Sequence, residues 1–440
     1  MTLPVILNKQ ISNRELSILR FLYRVRGATN LQIVRGLGLK NTVTSEKNMF
    51  KPLNKLIKEN LLDYQFVKPS DRKFFFLSEE GFEFMKRYLD VKPFHKGSGY
   101  GDDFGDFPYK LQKPPAIQAK HYLLQVDSII EIEAVKKLEL LLSGHFKVDW
   151  RDNRYISTRF DLKITDKKVI HGELKPDMEL TISLYNEEGV LKDTYYYLIE
   201  VDTGTERKVK LLNKLESYKL YFEYLQTENR NLPKGILFVG DKKEHQFGLD
   251  SRWASLTEVF GETLASYGMK VNLYYETMDN LQNMIKREIS FSSETPKVLQ
   301  EISKHVLSNP SFSGNSMFYF TKKTAGYDGF MPSTIAEASN GSRIMYCYVR
   351  VDGYETLGWY ELRNFLKFFE TERTLNERYG RIKKIIPVVY YFNKPGPMLH
   401  PDFFKHSPHL QLNEMIYFDC SNKCWYTTNM EKANGLPLPR

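Results

Sequence analysis

Four charged residues in the middle of the chain have the types and spacing of a metal-dependent phosphodiesterase site. Asp177 follows a proline and opens a segment in which apolar and polar residues alternate, as they do in a β-strand. Glu200 and Asp202 close the next such segment, and Lys214 follows on a predicted helix. Hydrolysis of a phosphodiester requires a cation that activates water and groups that stabilise the charge developing on the phosphate oxygens. These four residues are therefore the candidate catalytic residues.

The metal that this arrangement favours is Mg²⁺. Magnesium prefers oxygen ligands and is usually bound by only one or two protein carboxylates. Asp177 and Glu200, on neighbouring predicted strands, would supply them, and the backbone carbonyl of Val201 would add a third ligand. A purely structural interpretation stays open at this point, in which Asp177 caps a strand while Glu200 and Asp202 pair with nearby lysines.

A second set of metal-binding residue types lies near the C-terminus, where we do not expect zinc. The residues are His400, His406, His409, Cys420 and Cys424. The two cysteines flank Ser-Asn-Lys, which is typical of a hairpin turn, so cysteines on a hairpin explain the pattern better than a zinc site does. Three cysteines in the whole chain do not make a disulfide framework, and we expect a reducing cytoplasm.

The candidate residues are placed by a predicted mixed sheet with helices on its flanks. Apolar runs indicate strands near 146–150, 178–184, 194–202, 235–240 and 271–275. Amphipathic runs predict helices near 116–142, 206–226, 253–267 and 278–287, whereas the stretch from 151 to 172 is interpreted as irregular. A hairpin followed by strand–helix–strand crossovers predicts an α/β (α+β) fold.

The N-terminal part of the chain has the element order of a winged helix. Apolar periodicity predicts helices over 14–26, 30–37 and 44–60. Asn13 is the predicted cap of the first helix, and Pro52 is expected to kink or restart the third. Two alternating segments, 61–67 and 73–77, follow as the strands of the wing.

Lysines on the third predicted helix indicate a nucleic acid as partner. They lie at i, i+4, i+8 and i+11, on the face opposite the apolar residues, which are Met49, Phe50, Leu53, Leu56 and Ile57. The candidate DNA-binding residues are Lys47, Lys51, Lys55 and Lys58 on this helix, with Arg72 and Lys73 on the wing. In a helix-turn-helix fold this helix lies in the major groove, and such side chains contact phosphates. Two alternatives stay open: the lysines are only a solvated face, or the winged helix contacts another protein.

Length, charge and composition favour a multidomain protein that binds nucleic acid. The chain has 440 residues, a net charge of +9 and a pI near 9.0. A stretch rich in glycine, proline and aspartate predicts a linker. We therefore expect a winged helix at 1–90, a linker at 91–115, a nuclease-fold domain at 116–290 and a C-terminal α/β domain at 291–440. No apolar run is long enough to span a bilayer, so we expect no membrane partner.

The C-terminal domain contains a pattern that resembles a degenerate second copy of the first. The segment Val349–Asp352 follows Ile199–Asp202 at an offset of roughly 150 residues, and an aromatic-rich helix and a buried strand come after each. Arg350 stands where Glu200 stands, so the second copy would lack a metal ligand and be inactive. A chance match between two α/β segments is the alternative.

The carboxylate pattern resembles the restriction-endonuclease-like superfamily, whose signature is Pro-Asp followed by (Asp/Glu)-x-Lys. Pro176-Asp177 and Glu200-Val201 match this signature, but Asp202 stands at the position of its lysine. Some members of that superfamily carry the lysine on the following helix, and the resemblance implies that Lys214 would take that role. The site is then either a variant with a migrated lysine or inactive.

With its flanks, the chain looks like the replication-relaxation family of Gram-positive plasmids and mobile elements. The matching segments are 121–124, 176–177, 197–206 and Lys214-x-x-x-Tyr218, behind a winged helix. The resemblance covers roughly residues 10 to 240. It implies DNA binding connected with plasmid replication, relaxation or transfer, and it does not imply a demonstrated nuclease.

Three functions stay open on the sequence. The first is a DNA-binding protein of a plasmid or mobile element that acts in replication, relaxation or conjugative transfer, non-catalytic or with weak metal-dependent nicking. The second is an active Mg²⁺-dependent DNA endonuclease or nickase that uses Asp177, Glu200 and Lys214. The third is a winged-helix transcriptional regulator. Double-stranded DNA is the expected partner of each, a relaxase or replication proteins are further candidates, and a dimer is compatible with the sequence.

Overall fold

The computed structural model describes residues 5–6, 9–67, 72–114, 119–139, 145–165, 168–241, 248–338, 340–372, 377–404 and 407–437. Within these ranges the chain is a mixed α/β protein, as the sequence predicted, with one three-stranded sheet and two larger mixed sheets. No helix in the described ranges is both long enough and apolar enough to cross a membrane.

The N-terminal elements include an antiparallel sheet of three strands. In chain order they are β1 (Val5–Ile6), β2 (Lys9–Gln10), α1 (Asn13–Val25), β3 (Gly27–Thr29), α2 (Asn30–Gly36), α3 (Val43–Lys58), β4 (Leu62–Val67), β5 (Arg72–Leu77) and α4 (Glu79–Tyr88). The sheet has the order β3–β5–β4, and its short strand β3 was missed from the sequence. The predicted cap of α1 at Asn13 was wrong by one residue, because Ser12 and Glu15 form a capping box there.

The third helix, α3, buries a narrower face than the sequence predicted. Met49, Leu53 and Leu56 are buried, but Phe50, which we expected on the apolar face, is 45% exposed. The helix continues through Pro52 as one element, so the prediction of a restart there was wrong.

The middle of the chain forms the first large sheet. Its elements are α5 (Tyr109–Gln112), α6 (Ala119–Glu139), β6 (Phe146–Asp152), α7 (Asn153–Ile156), β7 (Thr158–Thr165), β8 (Lys168–Leu174), β9 (Met178–Tyr185), β10 (Leu191–Asp202), α8 (Lys208–Thr227), β11 (Gly235–Gly240), α9 (Gly248–Thr263) and β12 (Asn272–Thr277). Strands β6, β9 and β10 are antiparallel neighbours. Strands β11 and β12 then join β10 in parallel, with α8 and α9 in the connections.

The stretch 151–172, which was predicted to be irregular, instead contains most of a hairpin, β7–β8. The signal for it is present, because Phe160 and Leu162 alternate with charged residues. Phe160 and Leu174 pack in one apolar cluster with Leu215 and Phe222 of α8. The hairpin therefore covers the helix that carries Lys214.

Five strands of the second large sheet have the order and directions of five strands of the first, although the first also has the β7–β8 hairpin and α9 between its strands. The elements of this part of the chain are α10 (Leu281–Leu307), β13 (Phe312–Phe320), α11 (Lys322–Ala325), β14 (Met331–Ala338), β15 (Arg343–Arg350), β16 (Tyr354–Glu355), α12 (Leu357–Thr371), β17 (Ile382–Tyr391), β18 (Ile416–Asp419), β19 (Cys424–Tyr426) and β20 (Lys432–Ala433), of which β16 belongs to the first sheet. Strands β13, β14 and β15 are antiparallel, and β17 and β18 follow in parallel. A long helix, three antiparallel strands and two parallel strands is the order a repeat would require.

The parts of the fold share their apolar cores. One cluster joins Leu19 and Leu53 of the N-terminal helices to Leu180 and Ile199 of the first sheet. Strand β16, which follows the second sheet's β15, pairs with β12 of the first. The first sheet, which carries the candidate site, thus packs against the N-terminal helices and also pairs with a strand from the C-terminal part of the chain.

The segment predicted to be a linker makes specific contacts in its described part. The Tyr100 hydroxyl donates to the carboxylate of Glu179 on β9. The Gln112 side chain donates to the Tyr23 carbonyl at 3.1 Å. These contacts tie the segment to both α1 and the first sheet.

Candidate functional site

Asp177 is fixed at the junction of β9 and β10. Its backbone N–H donates to the Ile199 carbonyl at 3.0 Å, and its own carbonyl accepts from the Asn153 N–H at 3.1 Å. The Gln125 side-chain amide of α6 donates to the same carbonyl at 3.0 Å. Because three elements hold this peptide, the carboxylate lies directly beside the end of β10.

Both oxygens of the Asp177 carboxylate have a donor from the chain. Oδ2 accepts from the backbone N–H of Val201 at 2.8 Å. Oδ1 lies 2.9 Å from Nε2 of His121 on α6. Burial lowers the pKa of His121 and Asp177 raises it, with a net upward shift, so the imidazole favours its charged form in this contact.

Glu200 on β10 is also bonded through both carboxylate oxygens. The Tyr218 hydroxyl donates to Oε1 at 2.6 Å, and Lys214 Nζ lies 3.0 Å from Oε2. Lys214 and Tyr218 are four residues apart on α8, so both reach the same side of the helix. Lys214 Nζ lies 3.2 Å from the Glu206 carboxylate as well. Lys214, the predicted substitute for the signature lysine, is thus in direct contact with one of the carboxylates of its predicted site.

The charges at Glu200 and Lys214 depend on each other. Burial raises the pKa of Glu200, the Lys214 ammonium and the Tyr218 hydroxyl lower it, and the neighbouring Asp177 carboxylate raises it; the net pKa is about 7. Burial lowers the pKa of Lys214, but Glu200, Glu206 and Asp177 raise it to a net upward shift. Lys214 therefore remains a cation at neutral pH.

Asp202, a candidate catalytic residue, is engaged by Arg252 of α9. Arg252 Nε and Nη2 lie 2.7 Å and 2.8 Å from the two carboxylate oxygens, in the bidentate geometry of strong ion pairs. The Gly204 N–H donates to Oδ1 at 2.9 Å. Asp202 is buried, so this carboxylate faces a cation of the protein rather than the solvent.

The residues present do not fit a bound Mg²⁺. Every carboxylate oxygen of Asp177 and Glu200 has a protein donor, and an ammonium already lies against Glu200. The Val201 N–H also donates to Asp177, through a different atom from the carbonyl that was predicted as the third ligand. Among the residues that the structure describes, no group of three or more His, Cys, Asp or Glu side chains is arranged to hold a metal. His406 of the C-terminal set lies outside those residues.

Two members of the network had no predicted role. Tyr218 belongs to the motif Lys214-x-x-x-Tyr218, and its spacing of four residues from Lys214 already indicates a shared helix face. Arg252 has no local signal, because it lies 50 residues after Asp202 and meets it only in the folded protein.

The lysines of α3 divide into two groups. Lys47, Lys51 and Lys58 are exposed. Lys55 Nζ lies 2.9 Å from the carboxylate of Glu15, which is buried at the start of α1. Burial raises the pKa of Glu15, but hydrogen bonds from Ser12 and Lys55 lower it to a net downward shift. Lys55 therefore contributes to the fold as well as to the basic face.

The two candidate residues predicted to lie on a wing, Arg72 and Lys73, are on the β4–β5 hairpin. Arg72 is exposed, and Lys73 Nζ lies 4.0 Å from the ring centroid of Tyr64. One face of the hairpin packs through Phe74 and Phe76 against Tyr122 of α6. The turn residues 68–71 lie outside the described residues.

The matching position of the second sheet carries the opposite charge. Arg350 is the last residue of β15, and its Nη2 lies 3.0 Å from Oε1 of Glu288 on α10. Glu288 also lies 3.4 Å from Lys234 Nζ and accepts from the Tyr197 hydroxyl at 2.6 Å. Position 350 is thus part of a buried ionic network between the sheets.

The fold and the site together define an α/β protein with a basic N-terminal helix face and a carboxylate pair bonded within the chain. The replication-relaxation family model matches residues 19–235, from α1 to the first residue of β11. Over these residues the chain belongs to the replication-relaxation family, as the sequence resemblance indicated. Membership indicates a role in the replication or relaxation of a plasmid or mobile element. A search of curated proteins finds none that matches the chain.

Proposed function

We propose that the protein binds double-stranded DNA during plasmid or mobile-element replication, relaxation or transfer, and that it does not cut DNA itself. In this proposal α1–α3 and the β4–β5 hairpin act as a winged helix, and α3 lies in the major groove. The first sheet serves as a scaffold that keeps nuclease-like residues without their metal, and the protein acts beside a relaxase or the replication proteins.

The observation that carries DNA binding is the exposed basic face of α3. Lys47, Lys51 and Lys58 project from a helix whose opposite face is buried in the core, and Arg72 is exposed on the adjacent wing. Cationic side chains on a helix of suitable diameter meet phosphates on both sides of a groove. The net charge of +9 acts in the same direction.

The observation that favours a non-catalytic role is the contact between Lys214 and Glu200. A cation at 3.0 Å neutralises the carboxylate that would have to bind the metal. Asp202 is held by Arg252, so it is not free to replace Glu200 as a ligand. Partial exposure of Asp177 and Lys214 keeps the endonuclease as the second candidate.

DNA binding is tested with Lys47→Glu/Lys51→Glu. Both residues are exposed, so the fold is retained, and we expect weaker binding of duplex DNA by fluorescence anisotropy. The plot of log affinity against log salt should lose about two units of slope, one for each phosphate contact. The matched control, Lys168→Glu/Lys192→Glu, makes the same change of charge at exposed strand residues and should bind like the wild type. Equal affinities of the two double variants would overturn the role of α3.

The absence of cutting is tested with supercoiled plasmid and Mg²⁺ or Mn²⁺. We expect no nicking above that of protein-free DNA. Nicking that disappears in both Asp177→Ala and Glu200→Ala would instead establish the endonuclease. Nicking that survives both substitutions would assign the activity to another site or to a contaminant.

A further inference from the structure

The β4–β5 hairpin exposes two aromatic side chains beside a cation. Tyr64 is 39% exposed and Phe66 is 54% exposed. Their ring centroids are 5.6 Å apart with the rings at 88°, and Lys73 Nζ lies 4.0 Å from the Tyr64 centroid. We call Tyr64, Phe66 and Lys73 the wing platform. Single exposed aromatic residues are common, but adjacent exposed rings beside a cation form a contiguous patch of the kind that binds a partner.

The core of the protein does not need these rings. Side chains alternate between the faces of a strand, and the opposite face of the hairpin already packs through Val67, Phe74 and Phe76 against Tyr122. Phe66 pairs directly with Lys73 across the hairpin, so an apolar ring and an ammonium lie side by side. Among the described residues, this face of the hairpin is thus buried only at the end that lies away from the turn.

The wing platform lies on the same side of the sheet as α3. Across β4 and β5, Leu62 pairs with Leu77 and Tyr64 pairs with Phe75. Both pairs lie on the same face of the hairpin as the wing platform. Leu62, Phe75 and Leu77 belong to one apolar cluster with Leu53 of α3. A DNA molecule held on the exposed face of α3 therefore has the wing platform beside it.

We infer that the wing platform stacks unpaired DNA bases next to the duplex that α3 holds. Base faces in a duplex are covered by their neighbours, whereas the faces of unpaired bases are free to stack on aromatic rings. Lys73 supplies the cation that accompanies such stacking along a phosphate backbone. The same cation disfavours a purely apolar protein surface as the occupant, since its charge would be removed from water without a partner.

This inference rests on the proposed duplex binding and adds a second substrate, the junction between duplex and single strand. Such a junction arises wherever the strands of a duplex are separated. Stacking is independent of sequence, because every base has a ring face. The wing platform would therefore recognise the state of the DNA, while α3 recognises the duplex.

The test compares three DNA probes by fluorescence anisotropy. They are a blunt duplex, the same duplex with a thymidine tail, and the same duplex with a tail of abasic sugars. The wild type should bind the thymidine tail about ten-fold more tightly than the abasic tail, which has the same phosphates but no ring faces. Tyr64→Leu/Phe66→Leu should bind both tailed probes equally and the blunt duplex as the wild type does.

Two further variants separate the outcomes. Tyr64→Phe keeps the ring and should keep the preference for the thymidine tail. Lys47→Glu/Lys51→Glu should bind all three probes more weakly and leave the ratio of the affinities for the two tailed probes unchanged. A wild type that binds the blunt duplex but does not distinguish the tails would overturn the inference and leave the proposed function standing. A leucine double variant that changes only the oligomeric state, seen by light scattering, would assign the wing platform to a protein contact and also overturn the inference.

Discussion

Lys214 Nζ lies 3.0 Å from Oε2 of Glu200, and the two side chains form a buried ion pair between α8 and β10. Glu200 is nearly inaccessible, whereas one quarter of the Lys214 side chain is exposed. Removing water from a carboxylate is costly unless a cation and hydrogen-bond donors replace it. The chain itself supplies that cation at the place where a nuclease would use a metal.

Replacing Lys214 by methionine should destabilise the protein. The substitution leaves the Glu200 carboxylate buried with only the Tyr218 hydroxyl as partner, at a cost of about 3 kcal/mol. Urea unfolding above pH 7, where Glu200 is ionised, measures the loss. The double variant Lys214→Met/Glu200→Gln should recover most of it, because the buried charge is gone. A single variant as stable as the wild type would show that the pair does not contribute.

The same Lys214→Met variant should gain an affinity for divalent cations. Without the ammonium, the carboxylates of Asp177 and Glu200 repel each other, and a cation that bridges them relieves the repulsion. The melting temperature of the variant should therefore rise with added Mn²⁺, whereas that of the wild type should not change. Lys214→Met/Glu200→Gln is the control and should lose the response. A wild type that responds to Mn²⁺ as strongly as the variant would contradict the conclusion that the site does not fit a metal.

Stability should depend on pH through Glu200. Its pKa is about 7 in the folded protein, above the usual value of 4.5, so the folded state binds more protons than the unfolded state between these values. The contribution is fully present below pH 4.5 and is lost as the pH rises through 7. Relative to Glu200→Gln, the wild type should lose stability across this window in urea unfolding. A constant difference between the two proteins would mean that Glu200 does not titrate there.

The strands around the site could be predicted because their periodicity is local. Segments 178–184 and 194–202 alternate between apolar and polar residues, and the structure has strands there. The hairpin β7–β8 has the same kind of signal, which was overlooked because charged residues dominate it. The order of elements, and with it the mixed sheet, follows from such patterns.

The roles of the site residues could not be predicted in the same way. Asp202 was expected to take part in catalysis, and nothing near it in sequence reveals that Arg252 would bind it. Glu200 and Lys214 were predicted to belong to one site, but whether a metal or the ammonium neutralises Glu200 depends on distances that only the fold sets. The group that contacts Glu200 in the folded protein decides the function. The sequence pattern is the same whether that group is a metal or the Lys214 ammonium.

Asp202→Lys should not create a nuclease, although it restores the signature lysine. The new ammonium would lie against Arg252 in a buried position, at a cost of about 3 kcal/mol or more. Thermal unfolding should show the loss, and the plasmid assay with Mg²⁺ should show no nicking. Asp202→Asn keeps an acceptor for Arg252 and Gly204 and should therefore lower the melting temperature less than Asp202→Lys does. A folded Asp202→Lys protein that nicks DNA would contradict the proposed scaffold role.

Arg350→Glu should unfold the protein, although it places at position 350 the residue type found at position 200. Burial raises the pKa of Glu288, but Arg350 and Lys234 lower it to about 2, so Glu288 is charged and depends on both cations. A glutamate at 350 would instead meet Glu288 and the nearby carboxylates Asp352 and Glu355, and the two cations left there, Lys234 and Arg287, would not balance four carboxylates. Arg350→Lys keeps the charge and should remain folded with a lower melting temperature. Because the lowered pKa stabilises the fold above pH 4.5 and this contribution is lost as the pH falls toward 2, the stability difference between wild type and Glu288→Gln should shrink over that window. An Arg350→Glu protein with wild-type circular dichroism and melting temperature would show that position 350 tolerates either charge, and that the second sheet does not depend on this ion pair.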